Sequence, residues 1–374
     1  MSFLSLKPEV FGLDISDLSL KIAKLKKKGR FLGLASWGEI EIKPGVVEEG
    51  EIKNEEALAE NIRKCLDKVK GEKIKTKYVV ASLPEKKAFL QVIPMPKMTK
   101  EELEKAVPFE AENYVPLPIE EVYLDFQIVP AFHNHLDHFD VLIAAFPKKI
   151  VNSYLSCFER AGLIPWAMEI ESQVISRALL KQEISPFPIF IIDFGRSRSS
   201  FIIFSGHSLR FTASIPISSH NLTEIISRAL KVDLKEAEIL KIKQGLSISD
   251  LQIGGRKNKK NIKKIEVFEA MVPVLTDLVE QVGKHINYYQ THASHEHLPP
   301  NGKRIEKIIL CGRGANLKGL PDFISSELKI SAELANPWIN ILPEPLREVP
   351  GLPFEDSLGY TTALGLALRG IINE

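Results

Sequence analysis

Two short segments carry residues suited to holding phosphate. One is "FGLDISDLSLKIAKL", beginning at Phe11, and the other is "IFIIDFGRSRSSFIIF", beginning at Ile189. Each is an apolar strand ending in Asp, then a tight turn, then a second strand. Phosphate oxygens need backbone N–H donors, small side chains and hydroxyls in such a turn. A metal accompanying a triphosphate takes hard oxygen ligands, often through water. Two hairpins of this kind would clamp a metal-bound triphosphate. Asp14 and Asp193 would stand at the metal, Mg2+ reached through water. Ser16, Ser19, Gly195, Ser197 and Ser199 would donate to phosphates, and Lys21 would add positive charge. Taken singly, each is equally an ordinary β-hairpin with Asp at its turn.

A third segment, "IILCGRGANLKGLPDFI", runs from a buried strand into Gly312, Gly314, Ala315 and Asn316 and then a helix. Glycine there lets a flat ring or a phosphate approach the backbone. In a fourth, "LKEAEILKIKQG", Glu238 and Lys241 are spaced i, i+3 and share a helical face. On its own that pair is a solvated helix surface.

The elements that must hold these residues follow from periodicity. Val10 to Ile15, Leu18 to Leu25 and Phe31 to Ile42 alternate as successive antiparallel strands. Asn54 caps a helix whose apolar face is Leu58, Ile62, Cys65, Leu66 and Val69. Tyr78 to Ala81 is a buried strand. Residues 86–146 form a different unit, with Thr99 and Glu102 as a capping box and Pro108 expected to break or kink the helix. Lys149 to Ala161 is helical, Ile164 to Ile170 extended, and Glu171 to Lys181 helical. Pro186 and Pro188 mark a boundary between lobes. Three strands follow (Ile189 to Phe194, Ser199 to Phe204, Leu209 to Ile215), then helices at 221–231 and 234–245. A basic loop is expected over 254–264, and a long helix over 266–291. Ile305 to Cys311 is a strand, and 320–328 and 356–369 are helices. The two halves repeat one topology.

Composition sets limits on function. At 374 residues the chain exceeds the roughly 250–300 at which one core stops growing, so at least two are expected. A net charge of +1 argues against a general nucleic-acid binder. Cys65, Cys157 and Cys311 are far apart and form no metal or disulfide pattern. No apolar run spans a membrane, and the N-terminus lacks a signal-peptide pattern. His133, His135 and His138, and His292, His295 and His297, are better explained by a polar hairpin tip and a helix end than by metal.

The three loops, in this order, resemble the phosphate and adenosine motifs of the actin, sugar-kinase and 70-kilodalton heat-shock superfamily. Within it the chain is similar to the PilM family of actin-like type IV pilus assembly proteins. The segments that carry the likeness are "GLDISDLSLKIAKL", "TKEELEKAVPFEAENYVPLPIEEVYLDFQIV", "AGLIPWAMEIESQVISRAL", "EAEILK", "GANLKGLPDF" and "GLALRG". The resemblance runs along nearly the whole chain. It implies an α/β, actin-like (ribonuclease H-like) duplicated two-lobed fold with a small α+β insert in the first lobe. The subdomains would be 8–85 with 147–184, the insert 86–146, 185–217 with 303–374, and 218–302. ATP or ADP with Mg2+ would bind between the lobes, with Glu238, Lys241 and the glycine-rich loop among its contacts.

The resemblance also implies a partner, the short cytoplasmic tail of the inner-membrane protein PilN. That tail would dock in a groove between the first-lobe core and the insert, near Tyr114 and Pro116. Contacts with pilus motor ATPases and the platform protein, and self-assembly into filaments, belong to the same expectation. The chain would be cytoplasmic and reach the inner membrane through partners. Ser16, Arg196, Arg198 and Arg313 depart from the usual small or glycine residues of these loops. A group to orient water for hydrolysis would lie at Glu171, which equally suits a helix N-terminus. At most a slow ATPase is expected, the nucleotide being structural or regulatory. An FtsA-like filament protein and a sugar kinase are the alternatives.

Overall fold

A computed structural model describes residues 8–29, 31–130, 137–246, 259–292, 302–343, 345–346 and 348–371. The chain divides into two compact units. The first comprises Met1–Ser185, His207–Thr212 and Asn336–Glu374, and the second Pro186–Gly206 and Ala213–Ala335.

The first unit begins with strands β1 (Phe11–Ile15), β2 (Ser19–Lys28) and β3 (Phe31–Glu41), followed by a two-stranded ribbon, β4 (Val47–Glu48) and β5 (Glu51–Ile52). Helix α1 (Glu55–Asp67), short β6 (Lys70–Gly71) and β7 (Tyr78–Leu83) come next. As its residue type predicts, Asn54 caps α1, its side chain accepting from the Ala57 N–H at 2.9 Å. After a 3-10 turn at Glu85–Lys87, β8 (Phe89–Pro96), α2 (Lys100–Ala111), β9 (Val122–Val129) and β10 (His138–Pro147) build a three-stranded sheet in the order β8-β10-β9. It has its own core, including Ile93, Leu103, Val107 and Ile143. The Thr99–Glu102 capping box is formed. Pro108 does not end α2, which continues to Ala111. The carbonyl that Pro108 leaves without a donor belongs to exposed Glu104, where water can satisfy it. Helix α3 (Lys148–Arg160), β11 (Ile164–Ile170) and α4 (Glu171–Leu179) follow.

The second unit contains β12 (Ser185–Phe194), β13 (Ser199–Gly206) and β14 (Ser208–Ile215), then α5 (Ser219–Leu230), α6 (Leu234–Gln244) and α7 (Lys259–His292). Strand β15 (Lys307–Cys311), α8 (Leu320–Leu328) and β16 (Ser331–Leu334) follow. Pro186 and Pro188 lie inside the start of β12 rather than breaking it; the ladder to β15 begins only at Ile189, past both. Helix α7 starts earlier than expected, so Lys259–Lys264 are helical rather than loop, and the rest of the basic stretch lies outside the described residues. Its buried stripe, Val267, Met271, Leu275, Leu278, Val282, Ile286 and Tyr289, keeps the 3–4 residue spacing of one helical face.

Helices α9 (Phe354–Ser357) and α10 (Thr361–Arg369) complete the chain. The expectation that 303–374 belongs with the second lobe is corrected here: from Asn336 onward the chain belongs to the first unit. The reason is close packing. A Cβ on Gly12 of β1 would lie 2.3 Å from the Ala363 carbonyl oxygen, so only glycine lets α10 lie against that strand. Phe11, Leu13 and Ile15, on the opposite face, pack with Leu58, Ile62, Tyr154 and Phe158 of α1 and α3. His207–Thr212, expected in the second lobe within 185–217, also belongs to the first unit.

The duplication is explicit in the sheets. The six-stranded sheet runs β11-β7-β1-β2-β3-β6, and the five-stranded sheet runs β16-β15-β12-β13-β14. In each, the hairpin-opening strand has its successor on one side and a later, parallel strand on the other. The same end of each of these two opening strands carries the Asp.

Candidate nucleotide-binding site

Register places the charges in the first unit. On the antiparallel β1–β2 ladder Asp14 is opposite Lys21, and the Lys21 ammonium lies 3.8 Å from the Asp14 carboxylate. Ser82, from parallel β7, donates to Asp14 at 3.3 Å and accepts the Ile15 N–H at 3.3 Å. Asp14 is buried; burial pushes its carboxyl upward, while Lys21 and Ser82 pull the other way. Sequence reasoning did not pick out Ser82, because the signal lies in which strand pairs with β1.

The turn between β1 and β2 differs from the expected donor cradle. The Ser16 hydroxyl donates to the Ser19 carbonyl at 3.0 Å and lies 2.9 Å from the Ser19 hydroxyl, while the Ser16 N–H also goes to that carbonyl at 2.9 Å. The two serines therefore close the turn on each other. Asp17 accepts from the N–H groups of Glu49 and Gly50 at 3.2 and 2.9 Å.

Glu171 opens α4. Its carboxylate accepts the Glu85 N–H at 3.4 Å, while the Glu85 carboxylate accepts the Ser172 N–H at 3.0 Å. Glu85 was missed in the sequence. It is buried, and burial raises its pKa against hydrogen bonds from Thr212 and Ser172. A lone Glu after a strand, followed by two lysines, looks like solvated surface, so nothing local could have found it.

In the second unit, Asp193 pairs across the parallel ladder with Cys311, whose thiol lies 3.8 Å from its carboxylate. That register brings Gly312 and Gly314 against the Asp193–Phe194 backbone. A Cβ on Gly312 would stand 2.3 Å from the Asp193 carboxylate, and one on Gly314 2.7 Å from the Phe194 carbonyl oxygen. Arg313–Asn316 form a 3-10 turn that includes Ala315. In the Asp193 loop, the carbonyls of Gly195 and Arg196 accept the N–H groups of Ser219 and His220 at 3.0 and 3.2 Å, which fixes the loop to the first turn of α5. Ser199 is buried, its hydroxyl donating to the Ile217 carbonyl at 2.6 Å; Ser197 is half-buried in the turn. The Arg198 guanidinium donates to the Ser214 hydroxyl, so one of the two intruding arginines is held by β14.

Glu238 and Lys241 do share a face, but not a solvated one. The Lys241 ammonium donates to the Ser219 carbonyl (2.9 Å), the Ser219 hydroxyl (2.8 Å) and the Thr223 hydroxyl (2.9 Å), and lies 2.7 Å from the Glu238 carboxylate. Four acceptors saturate an ammonium with three protons. Burial lowers the Lys241 pKa, and Glu238 opposes that shift. Lys241 ties α5 to α6, and the Glu238 side chain beside it stays half-exposed.

Tyr114 and Pro116 lie just after α2, Tyr114 packed against the core of the three-stranded sheet and Pro116 exposed. His138 bonds Asp137, and His292 stacks on Tyr288; the other four weighed histidines lie outside the described residues. Among the described residues no cluster of His, Cys, Asp and Glu is gathered for a metal. Among them, too, no helix is long and apolar enough to cross a membrane.

Residues 12–371 match the profile of the type IV pilus assembly protein PilM. The chain belongs to the PilM family. A chain of a PilM–PilN type IV pilus biogenesis complex is 26% identical to this PilM-family chain, with 98% of this chain and 100% of that chain covered, at a TM-score of 0.78. MreB5 of Spiroplasma citri bound to ADP shares the actin-like fold, with 12% identity, 97% and 96% coverage and a TM-score of 0.52. Curated relatives are cell division proteins FtsA. That of Escherichia coli strain K12 is 22% identical over 234 residues, 59% of this chain and 52% of the relative. That of Neisseria meningitidis is 24% identical over 102 residues, 27% of this chain and 25% of the relative. The chain thus spans about half or less of the curated relatives it matches. The duplicated sheet order and these neighbours agree on an actin-like α/β fold, and the family is one of type IV pilus assembly.

Proposed function

We propose that this protein is an ATP-binding adaptor of type IV pilus assembly that binds the cytoplasmic tail of a PilN-like inner-membrane protein. The observation that carries the reading is the full-length likeness to a chain of a PilM–PilN complex, together with the repeated strand–Asp–turn hairpins. Asp14 and Asp193 end equivalent strands, and the missing side chains of Gly312 and Gly314 let the glycine-rich turn pack directly against the Asp193–Phe194 backbone. Backbone N–H groups of the Asp193 and Gly312 turns, with Lys21, are the phosphate donors in this reading. Asp14 and Asp193 are the residues that would hold Mg2+ through water, and the metal would supply charge neutralisation of the phosphates. Glu238 and the Gly312–Asn316 turn take the nucleoside.

Turnover is a minor part of this function. Glu171 is held by the Glu85 N–H at the start of α4, as suits an acid that sets a helix terminus as much as one that orients water. The partner groove lies between the first-unit core and the three-stranded sheet, with Tyr114 and Pro116 at its edge. Residues 86–146 act as the insert that presents it. The membrane is reached through PilN, and motor ATPases and the platform protein are further partners in the assembly.

Fluorescence anisotropy of a labelled PilN-tail peptide, titrated with the protein with and without Mg-ATP, tests this. Saturable binding whose affinity changes with Mg-ATP is expected. Absence of binding in both conditions would overturn the adaptor reading and turn attention to filament formation by sedimentation.

A further inference from the structure

Side chains two apart on a strand share a face. On β14 the row Arg210, Thr212, Ser214 is polar, and each member is bonded to a different part of the chain. Arg210 donates to Asp140 at 3.1 Å, in β10, the central strand of the insert. Both side chains are out of water, at 9% and 5% exposure. The Thr212 hydroxyl donates to buried Glu85, in the turn that leads from β7 into the insert. The Ser214 hydroxyl accepts from Arg198, in the loop that follows Asp193. The strand belongs to the first unit through Thr212 and to the second from Ala213.

The Glu85 turn is also tied to the other phosphate hairpin. Asp17, between β1 and β2, holds the N–H groups of Glu49 and Gly50. Lys86 pairs with Glu49, and Lys87 with Glu51. Gly50, at φ +77°, approaches Pro84 so closely that a Cβ would lie 2.4 Å from the proline ring. The turn between β4 and β5 therefore rests on the residue before Glu85.

An apolar pair would hold β14 to β10 at lower desolvation cost than a dry Arg–Asp pair. What a satisfied buried network adds is one defined arrangement of the parts it joins. We propose that the Glu85 turn and the polar face of β14 form a coupling device, linking the loops after Asp14 and Asp193 to the partner-binding insert so that nucleotide at the loops alters tail binding. The device rests on the adaptor reading above and names its regulation.

The test uses the full chain and two variants. Arg210→Met with Asp140→Leu removes the dry pair without stranding a charge. Thr212→Val cuts only the link to Glu85. Folding is checked by thermal unfolding. A fluorescent ATP analogue and the labelled tail peptide are then titrated separately and together. The wild type is expected to change tail affinity by at least about fivefold with Mg-ATP. In both variants the factor should fall below about twofold while ATP affinity stays within about twofold of wild type. A full factor in both variants overturns the proposal, as does a wild type that binds both ligands without coupling. A wild type that binds neither ligand sinks the adaptor reading instead. The device is then judged without ligand: Arg198→Ala should speed amide exchange in β10 by about threefold or more, and unchanged exchange there overturns it.

Discussion

Replacing Gly312 by Ala is a direct probe of the loop beside Asp193. Gly312 has φ +79° and ψ 159°, a combination that only glycine adopts without strain, and the backbone alone should cost about 1–3 kcal/mol. The new Cβ would stand 2.3 Å from the Asp193 carboxylate, 2.7 Å from the Phe194 carbonyl oxygen and 2.8 Å from its carbon. Overpacking of that kind costs about 1–3 kcal/mol. Together these make about 2–6 kcal/mol, a large part of the ~5–15 kcal/mol that holds a domain folded. Trp37, Trp166 and Trp338 all belong to the first unit, so unfolding of the second should be followed in urea by far-UV circular dichroism. Since the nearest atom is a carboxylate oxygen, Asp193 must swing aside, and a fluorescent ATP analogue should bind at least about tenfold more weakly, a loss of ~1.4 kcal/mol. Gly314→Ala is the control: its Cβ meets the Phe194 ring at 2.6 Å, so stability should fall with a smaller change in affinity. Wild-type stability and affinity in Gly312→Ala would refute the reasoning. Lost stability with unchanged affinity would keep the packing argument and remove Asp193 from the nucleotide site.

Lys241→Met strands four acceptors; because Glu238 is half exposed, the loss should be about 2 kcal/mol rather than the 3–5 of a fully buried pair, read as a lower urea midpoint. Burial raises the Glu85 pKa above the ordinary glutamate value of about 4.5. From about that pH up through its folded value, the native state holds a proton that the unfolded state has released, so stability falls as pH rises. Glu85→Gln cannot ionise, so its stability relative to wild type should grow with pH across that window; parallel curves between pH 4.5 and 8 would sink the assignment. Asp193→Ala should abolish nucleotide binding without unfolding the chain, and unchanged ATP affinity by calorimetry would mean that the second loop is misassigned. Tyr114→Ala should weaken the tail peptide in anisotropy, and wild-type affinity would remove Tyr114 from the groove.

Local structure was legible wherever its cause lies between near neighbours in the chain. Asn54 and the Thr99–Glu102 box announce their helices because capping is chemistry between near neighbours. The repeated strand–Asp–turn pattern announced the duplication for the same reason. What stayed hidden depends on contacts between distant segments. Ser82 reaches Asp14 only because β7 lies parallel to β1. Glu85 is buried only because α4 and β14 close over it. Lys241 looks like a surface lysine until α5 supplies Ser219 and Thr223. The return of the chain to the first unit after Ala335 turns on Gly12, whose missing side chain is a packing requirement that nothing in its own neighbourhood reveals.

That return has a consequence for how the protein is made. The face of β1 that carries Gly12 is covered by Ala363 and its neighbours, about 350 residues later in translation. At ~5–20 residues per second this face waits about 20–70 s for its cover. Closing so long a loop costs about 5 kcal/mol of chain entropy, so the first sheet cannot be finished locally while the second unit is being synthesised. Its apolar side is then a surface for chaperones during synthesis, and an early stop between the two units would leave a first unit whose sheet still lacks one of its layers.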